Sequence, residues 1–202
     1  MASAFLTGEK LFLRPLAEAD LNEKYAGWLN DPEVTRYLET GHFPSTVDDL
    51  RSYQQRFRGT TTDVIFGIID KGTGAHLGNV TLNRINWIHR TADTGLLIGE
   101  RRFWGKGYAF EALNLILIYA FHRLGLRKIR SGACAPHAAS LSVLERLGFA
   151  VEGTLRRQML VDDEFVDVVL LGLFAEEFSA RARSGATRES RSGLRSPRRP
   201  KA

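Results

Sequence analysis

The sequence predicts an α/β domain of the mixed (α+β) kind, in which a mostly antiparallel sheet contains one central parallel strand–helix–strand crossover. Three observations carry that expectation. Two β-rich runs, 63–70 and 76–87, flank Lys71-Gly72-Thr73-Gly74, which is hairpin turn chemistry. An apolar helical stretch, 109–124, lies between strand-like runs at 91–99 and 127–135, and two strands joined through a helix are most simply parallel. Finally, strand runs at 149–161 and 165–174 enclose the turn residues Asp162 and Asp163.

The elements follow in order. Residues 10–16 (KLFLRPL) read as an opening strand, and residues 18–29 have helical spacing, with Leu21, Tyr25, Trp28 and Leu29 on one side. Asp31-Pro32 breaks that helix. A second helix is expected over 47–57, capped by Ser45 or Thr46, with Asp48 and Asp49 complementing the dipole of its first turn. The hairpin and the strand at 91–99 then complete an antiparallel meander. Beyond the crossover, a short helix over 138–147 ends at Gly148, a residue free to take the left-handed conformation that terminates helices.

Length and charge bound the organisation. A chain of 202 residues, 44% hydrophobic, can bury one sizeable core. Its net charge is +5, yet residues 181–202 alone hold seven Arg, one Lys and one Glu, leaving the first 180 residues with 20 basic and 22 acidic groups. The folded part is therefore slightly acidic. We expect one domain over 1–180 and a disordered basic Arg/Ser/Pro tail over 181–202, because so few apolar side chains cannot offset the entropy of ordering. Such a tail reads as a solvated extension, or as one making weak, salt-sensitive contact with nucleic acid or an anionic surface. The single cysteine, Cys134, excludes an internal disulfide framework and fits a reducing, cytoplasmic location. No leader opens the sequence, and 109–124 is too short and too interrupted by polar residues to span a membrane.

Chemistry concentrates in Arg102-Phe103-Trp104-Gly105-Lys106-Gly107, between a strand and a long helix. A helix N-terminus presents unpaired N–H groups and a partial positive charge, glycines let the backbone approach a phosphate, and Arg102 and Lys106 add cations. The segment lacks the GKS/T ending of a nucleotide triphosphate loop and the three glycines of a dinucleotide fingerprint. A pyrophosphate-bearing ligand of another kind is favoured.

That loop, continuing into Tyr108-Ala-Phe-Glu-Ala, together with His137-Ala-Ala-Ser140-Leu-Ser-Val-Leu144-Glu-Arg-Leu-Gly148-Phe149, resembles the two signature motifs of the GNAT N-acetyltransferases. The resemblance is greatest to the branch containing ribosomal-protein N-terminal acetyltransferases and amino-sugar-nucleotide acetyltransferases, and runs from about Leu6 to Phe178. It implies the GNAT fold, with a splay between the fourth and fifth predicted strands (91–99 and 127–135), acetyl-CoA as acyl donor, and no metal. The pantetheine arm would pair with backbone around Leu97 and Ile98. The diphosphate would sit on Phe103, Trp104, Gly105, Lys106, Gly107 and Tyr108 beside Arg102, with His137 near the cofactor. An alkylammonium must lose a proton before attack, so a base or water relay is required. Asp93 is the candidate base, and Ser140 the candidate partner of the departing thiolate, since Leu144 stands where many relatives carry a tyrosine.

The acceptor is expected among small amines such as amino sugars, with a peptide N-terminus as the alternative. Trp28, Tyr37, Asn83 and Asp167 are candidate substrate contacts, with Arg36 and Trp87 nearby. A reading from another class is a non-catalytic acyl-CoA-binding protein attached to nucleic acid by its tail. Cys134 reads as a small buried residue rather than a nucleophile. A homodimer is compatible with this architecture, whose strand edges are often paired.

Overall fold

The computed structural model describes residues 3–179, so the predicted basic tail lies outside the described residues. Eight strands occur in the order β1 (Leu6–Thr7), β2 (Leu11–Arg14), β3 (Val64–Asp70), β4 (His76–Asn86), β5 (Thr91–Ile98), β6 (Lys128–Cys134), β7 (Ala150–Val161) and β8 (Glu164–Phe174). Helices α1 (Glu23–Asn30), α2 (Pro32–Thr35) and α3 (Val47–Gln55) follow β2; α4 (Tyr108–Ile118) joins β5 to β6, and α5 (Ala138–Leu147) follows β6. One sheet contains all strands, ordered β1-β2-β3-β4-β5-β6-β8-β7. Every neighbouring pair is antiparallel except β5 and β6, which are parallel across α4 as the crossover requires. The two-residue β1 raises the numbering by one, so the predicted fourth and fifth strands are β5 and β6.

Alternation along the strands divides the core between two faces. On one, Val80, Leu82, Ala92, Ile116, Leu117, Ile129 and Leu144 are buried with α4 and α5. On the other, Leu21, Tyr25, Trp28, Leu50 and Ile65 form a smaller cluster beneath α1–α3, against which Leu97 packs. Local chemistry sets the boundaries. The Asn22 side chain caps α1 at Tyr25 N, Asp31 caps α2 ahead of Pro32, and Thr46 and Asp49 form a reciprocal capping box on α3. Gly148, at φ 102°, ends α5 while its N–H and that of Phe149 return to Glu145 O and Leu144 O.

Two boundaries differ from the periodicity. The helix expected over 18–29 is a short 3-10 turn followed by α1, because buried Asp20 draws together Arg14 (Nη2 to Oδ1, 2.8 Å) and Ala17 N (2.7 Å). That tie leaves Asn22 extended, and a new helix starts after it. The stretch 109–124 is α-helical only to Ile118, then widens into one π turn, Tyr119–Arg123.

The parallel pair sets the shape of the site. β5 and β6 are in register only at Thr91↔Lys128, Ala92↔Ile129 and Asp93↔Arg130. Past that point β5 remains with β4 as far as Gly78↔Ile98, while β6 remains with β8 to Cys134↔Val168. Held by different neighbours, the strands part and leave a V-shaped gap. Gly99 closes β5 under α1: a Cβ there would lie 2.0 Å from Trp28 Cδ2. Gly99→Ala is therefore expected to lower stability by about 1–3 kcal/mol through overpacking, read as a lower urea midpoint at unchanged slope.

Candidate active site

The loop after β5 ends in two left-handed glycines, Gly105 (φ 69°) and Gly107 (φ 86°), the second directly preceding α4. Among the described residues, the backbone N–H groups of residues 105–110 have no hydrogen-bond acceptor, and the first bond into the helix is Glu111 N to Gly107 O at 3.1 Å. Space around Gly105 is open. The cradle is fixed from behind: Glu111 Oε1 accepts from Lys10 N (2.9 Å), Lys10 Nζ donates to Lys106 O (3.0 Å), and Tyr108 Oη donates to Asp70 Oδ1 (2.7 Å). Hydrogen bonding to Asp70 pushes the Tyr108 hydroxyl up to about 12, so it stays protonated as a donor. Unpaired amides, the dipole of an 11-residue helix and room beside a glycine together fit a phosphate group.

The predicted cations are unequally placed. Arg102 Nε contacts Glu100 Oε2 at 3.1 Å, and Lys24 Nζ contacts the other Glu100 oxygen at 2.6 Å, giving Glu100 a structural role. Arg101 pairs with Glu33 and Asp31. Lys106 is exposed, with its ammonium 5.9 Å from the Phe103 ring centroid. Phe103 itself packs edge-on to Tyr108, and Trp104 Nε1 donates to Ile98 O at 2.7 Å.

Backbone direction corrects one expectation. Gly99 N donates to Leu77 O at 2.9 Å, and in an antiparallel ladder residues two apart face the same side, so Leu97 directs its N–H and C=O toward β4. Leu96 and Ile98 present theirs to the splay. An extended ligand in the gap would meet Leu96 and Ile98 rather than Leu97.

Asp93 stands at the apex of the splay with a largely buried side chain. Its Oδ2 accepts from Arg84 Nε (2.6 Å) and its Oδ1 lies 2.7 Å from Arg130 Nε. Both oxygens are thereby engaged by guanidinium groups, which ties the carboxylate into the sheet. Asn83, directly opposite in register, donates to Thr81 Oγ1 at 2.8 Å. Ser140 lies in the first turn of α5, where His137 rather than Ser140 holds the capping position.

His137 and Tyr37 are brought together, their rings stacked at 4.4 Å and 18°. Burial holds the His137 imidazole below its ordinary value, so it is neutral near pH 7. Tyr37 also lines a cavity of about 280 Å3, with Glu39, Gly132, Cys134, Gln158 and Met159 among others. Sheet alternation puts Gly132 and Cys134 on the same face as Arg130 and Asp93, so the cavity adjoins the splay. Cys134 is 3% exposed with Sγ 3.1 Å from Met159 Sδ, and burial pushes its thiol up, which suits a packed residue rather than a nucleophile.

Other candidates fall elsewhere. Trp28 is 7% exposed and packs against Tyr25, His76 and Gly99, a core position that corrects its proposed substrate contact. Trp87 bonds Thr61 O, and Arg36 pairs with Asp162 across to the β7–β8 turn. Asp167 accepts from Arg157 N at 2.8 Å and lines a second cavity on the β7–β8 hairpin. Leu144 is 2% exposed and takes no part in the site. Glu39, Gly132, Gln158 and Met159 escaped the sequence reading. Glu39 sits in a non-periodic segment after α2, and only the fold brings it over β6.

Comparison with known proteins agrees with this geometry. Residues 10–150 match the family model described as an acetyltransferase (GNAT) domain. The chain is 30% identical over 174 residues to the uncharacterized N-acetyltransferase p20 of Bacillus licheniformis, covering 85% of this chain and 96% of that protein. Spermidine N(1)-acetyltransferase of Escherichia coli K12 is 27% identical over 169 residues, 83% of this chain and 88% of the other. Among solved structures, Vibrio cholerae spermidine N-acetyltransferase in complex with CoA and spermine superposes with a TM-score of 0.77 at 25% identity, covering 85% of this chain and 99% of that one.

A carboxylate introduced into the cradle opposes phosphate directly. Gly105→Glu should weaken CoA binding at least about tenfold in calorimetry, equivalent to about 1.4 kcal/mol, while leaving the thermal midpoint within a few degrees.

Proposed function

The chain belongs to the GNAT acetyltransferase family, and from that premise we propose that it transfers the acetyl group of acetyl-CoA to a small primary amine held in the cavity beside β6. One observation carries the reading: the anion cradle follows the splayed end of β5, and the cavity under Tyr37 and Glu39 is lined by the splayed end of β6, so a donor and an acceptor can reach one gap. The space beside β6, about 280 Å3, has room for a small amine.

The residues divide the work as follows. Amides of residues 105–110 receive the diphosphate, with Lys106 as the adjacent exposed cation. Leu96 and Ile98 pair with the extended pantetheine arm, and the Ile98 carbonyl, which accepts from the Trp104 indole, has a second lone pair to offer it. Acetyl-CoA supplies the acyl group as a thioester, already activated toward nitrogen. Gly132, lacking a side chain, leaves room for the amine to approach, and Glu39 attracts its ammonium form. Water in the open cavity takes the proton before attack. The new C–N bond forms as the C–S bond breaks, and Ser140 delivers a proton to the departing sulfur. Asp93 positions Arg84 and Arg130 at the apex.

Thiol release from acetyl-CoA, measured against a panel of primary amines, tests the reading; well-folded protein that neither binds CoA nor releases thiol with any amine would overturn it. Ser140→Ala should lower kcat by about 10–100-fold with little change in KM for acetyl-CoA, as expected for loss of one general acid. For Asp93→Asn we expect an unchanged pH–rate profile and a stability loss of about 1 kcal/mol from the partly exposed ion pairs. Loss of the acidic limb of that profile would restore Asp93 as the base.

A further inference from the structure

The β7–β8 hairpin contains an irregularity that the transfer reaction does not require. Leu155 pairs with Val168 and Met159 with Val166, so Arg156, Arg157 and Gln158 together oppose the single residue Asp167. Arg157 adopts φ 48°, a left-handed conformation that a long side chain rarely takes. Asp167 holds it there: Oδ1 accepts from Arg157 N at 2.8 Å, while Asp167 O accepts from Ala135 N at 2.9 Å, tying the bulge to the end of β6. A bulge so fixed re-aims side chains beside a site.

The cavity it creates, about 670 Å3, is lined by Thr154, Leu155, Arg156, Arg157, Gln158 and Asp167. Leu155 and Gln158 also line the cavity under Tyr37 and Glu39, so the two spaces form one cleft. Its charges are segregated, with Glu39 near the splay and two arginines at the far end. Among the described residues, neither Arg156 nor Arg157 has a carboxylate within salt-bridge distance, whereas Arg36, Arg84, Arg101 and Arg130 around the same face are all paired. Guanidinium groups match phosphate and carboxylate oxygens in bidentate geometry, and they repel a second ammonium.

We propose that the acceptor is an amine that also carries an anionic group, phosphate or carboxylate, which Arg156 and Arg157 bind while the amine lies at the splay. This rests on the transferase reading and narrows its substrate class away from a polycation. The test uses matched acceptors, O-phosphoethanolamine against ethanolamine and β-alanine against β-alaninamide, with spermidine as the cationic comparator, in the full-length protein and in R156Q/R157Q. The anionic member of at least one pair should have a kcat/KM higher by about tenfold or more, and the double substitution should erase that preference without changing KM for acetyl-CoA. Which pair responds identifies the anion. Equal rates within both pairs, an unchanged preference in the variant, or spermidine as the best acceptor would each overturn the assignment. Should no amine release thiol, the transferase reading fails on its own, and calorimetry with O-phosphoethanolamine still decides the site: binding lost in R156Q/R157Q supports it, and no binding to the parent protein overturns it.

Discussion

Three residue pairs hold β5 to β6, and the site exists because there is no fourth. A parallel sheet ordinarily continues its ladder, since unpaired backbone groups in the middle of a sheet are costly. Here each strand is captured by an antiparallel neighbour on its other side, β5 by β4 and β6 by β8, and those ladders carry the two strands apart. The groups released at Leu96 and Ile98 then need a partner. Part of that need is met by Trp104, whose indole N–H bonds the Ile98 carbonyl; an extended ligand with its own amides would meet the rest.

Everything that surrounds the gap is fastened to something rigid. The start of α4 is attached to β2 through Glu111 and to the end of β3 through Tyr108 and Asp70, so its unpaired amides keep a fixed direction. The apex is closed by Asp93 between two arginines, and Tyr37, which lines the adjoining cavity, is stacked on His137. Preorganisation of this kind matters because a reacting pair gains from being held in place more than from any single added contact.

Charge is arranged with comparable economy. Most arginines near the cleft are matched by a carboxylate, including Arg36 with Asp162 and Arg101 with Asp31 and Glu33. Against that matched background Glu39 and the Arg156–Arg157 pair mark the two ends of the cleft. Relatives named for spermidine share the fold and the family.

The sequence by itself determined most of the order of elements, the parallel crossover, the glycine-bearing loop ahead of α4 and the family. Each rests on local rules: glycines where the backbone must turn left-handed, caps one turn before an apolar run, and side-chain periods of two or near four. It misjudged Leu97, whose backbone direction depends on the phase of pairing with β4, and Trp28, whose aromatic ring looked available until α1 was laid over Gly99. Only the tertiary structure joined Glu39, Gly132, Gln158 and Met159 around one cavity and engaged both oxygens of Asp93. The reason is physical: a pocket is built from residues far apart in the chain whose proximity is set by sheet order and packing, and no period or motif in the sequence encodes that distance.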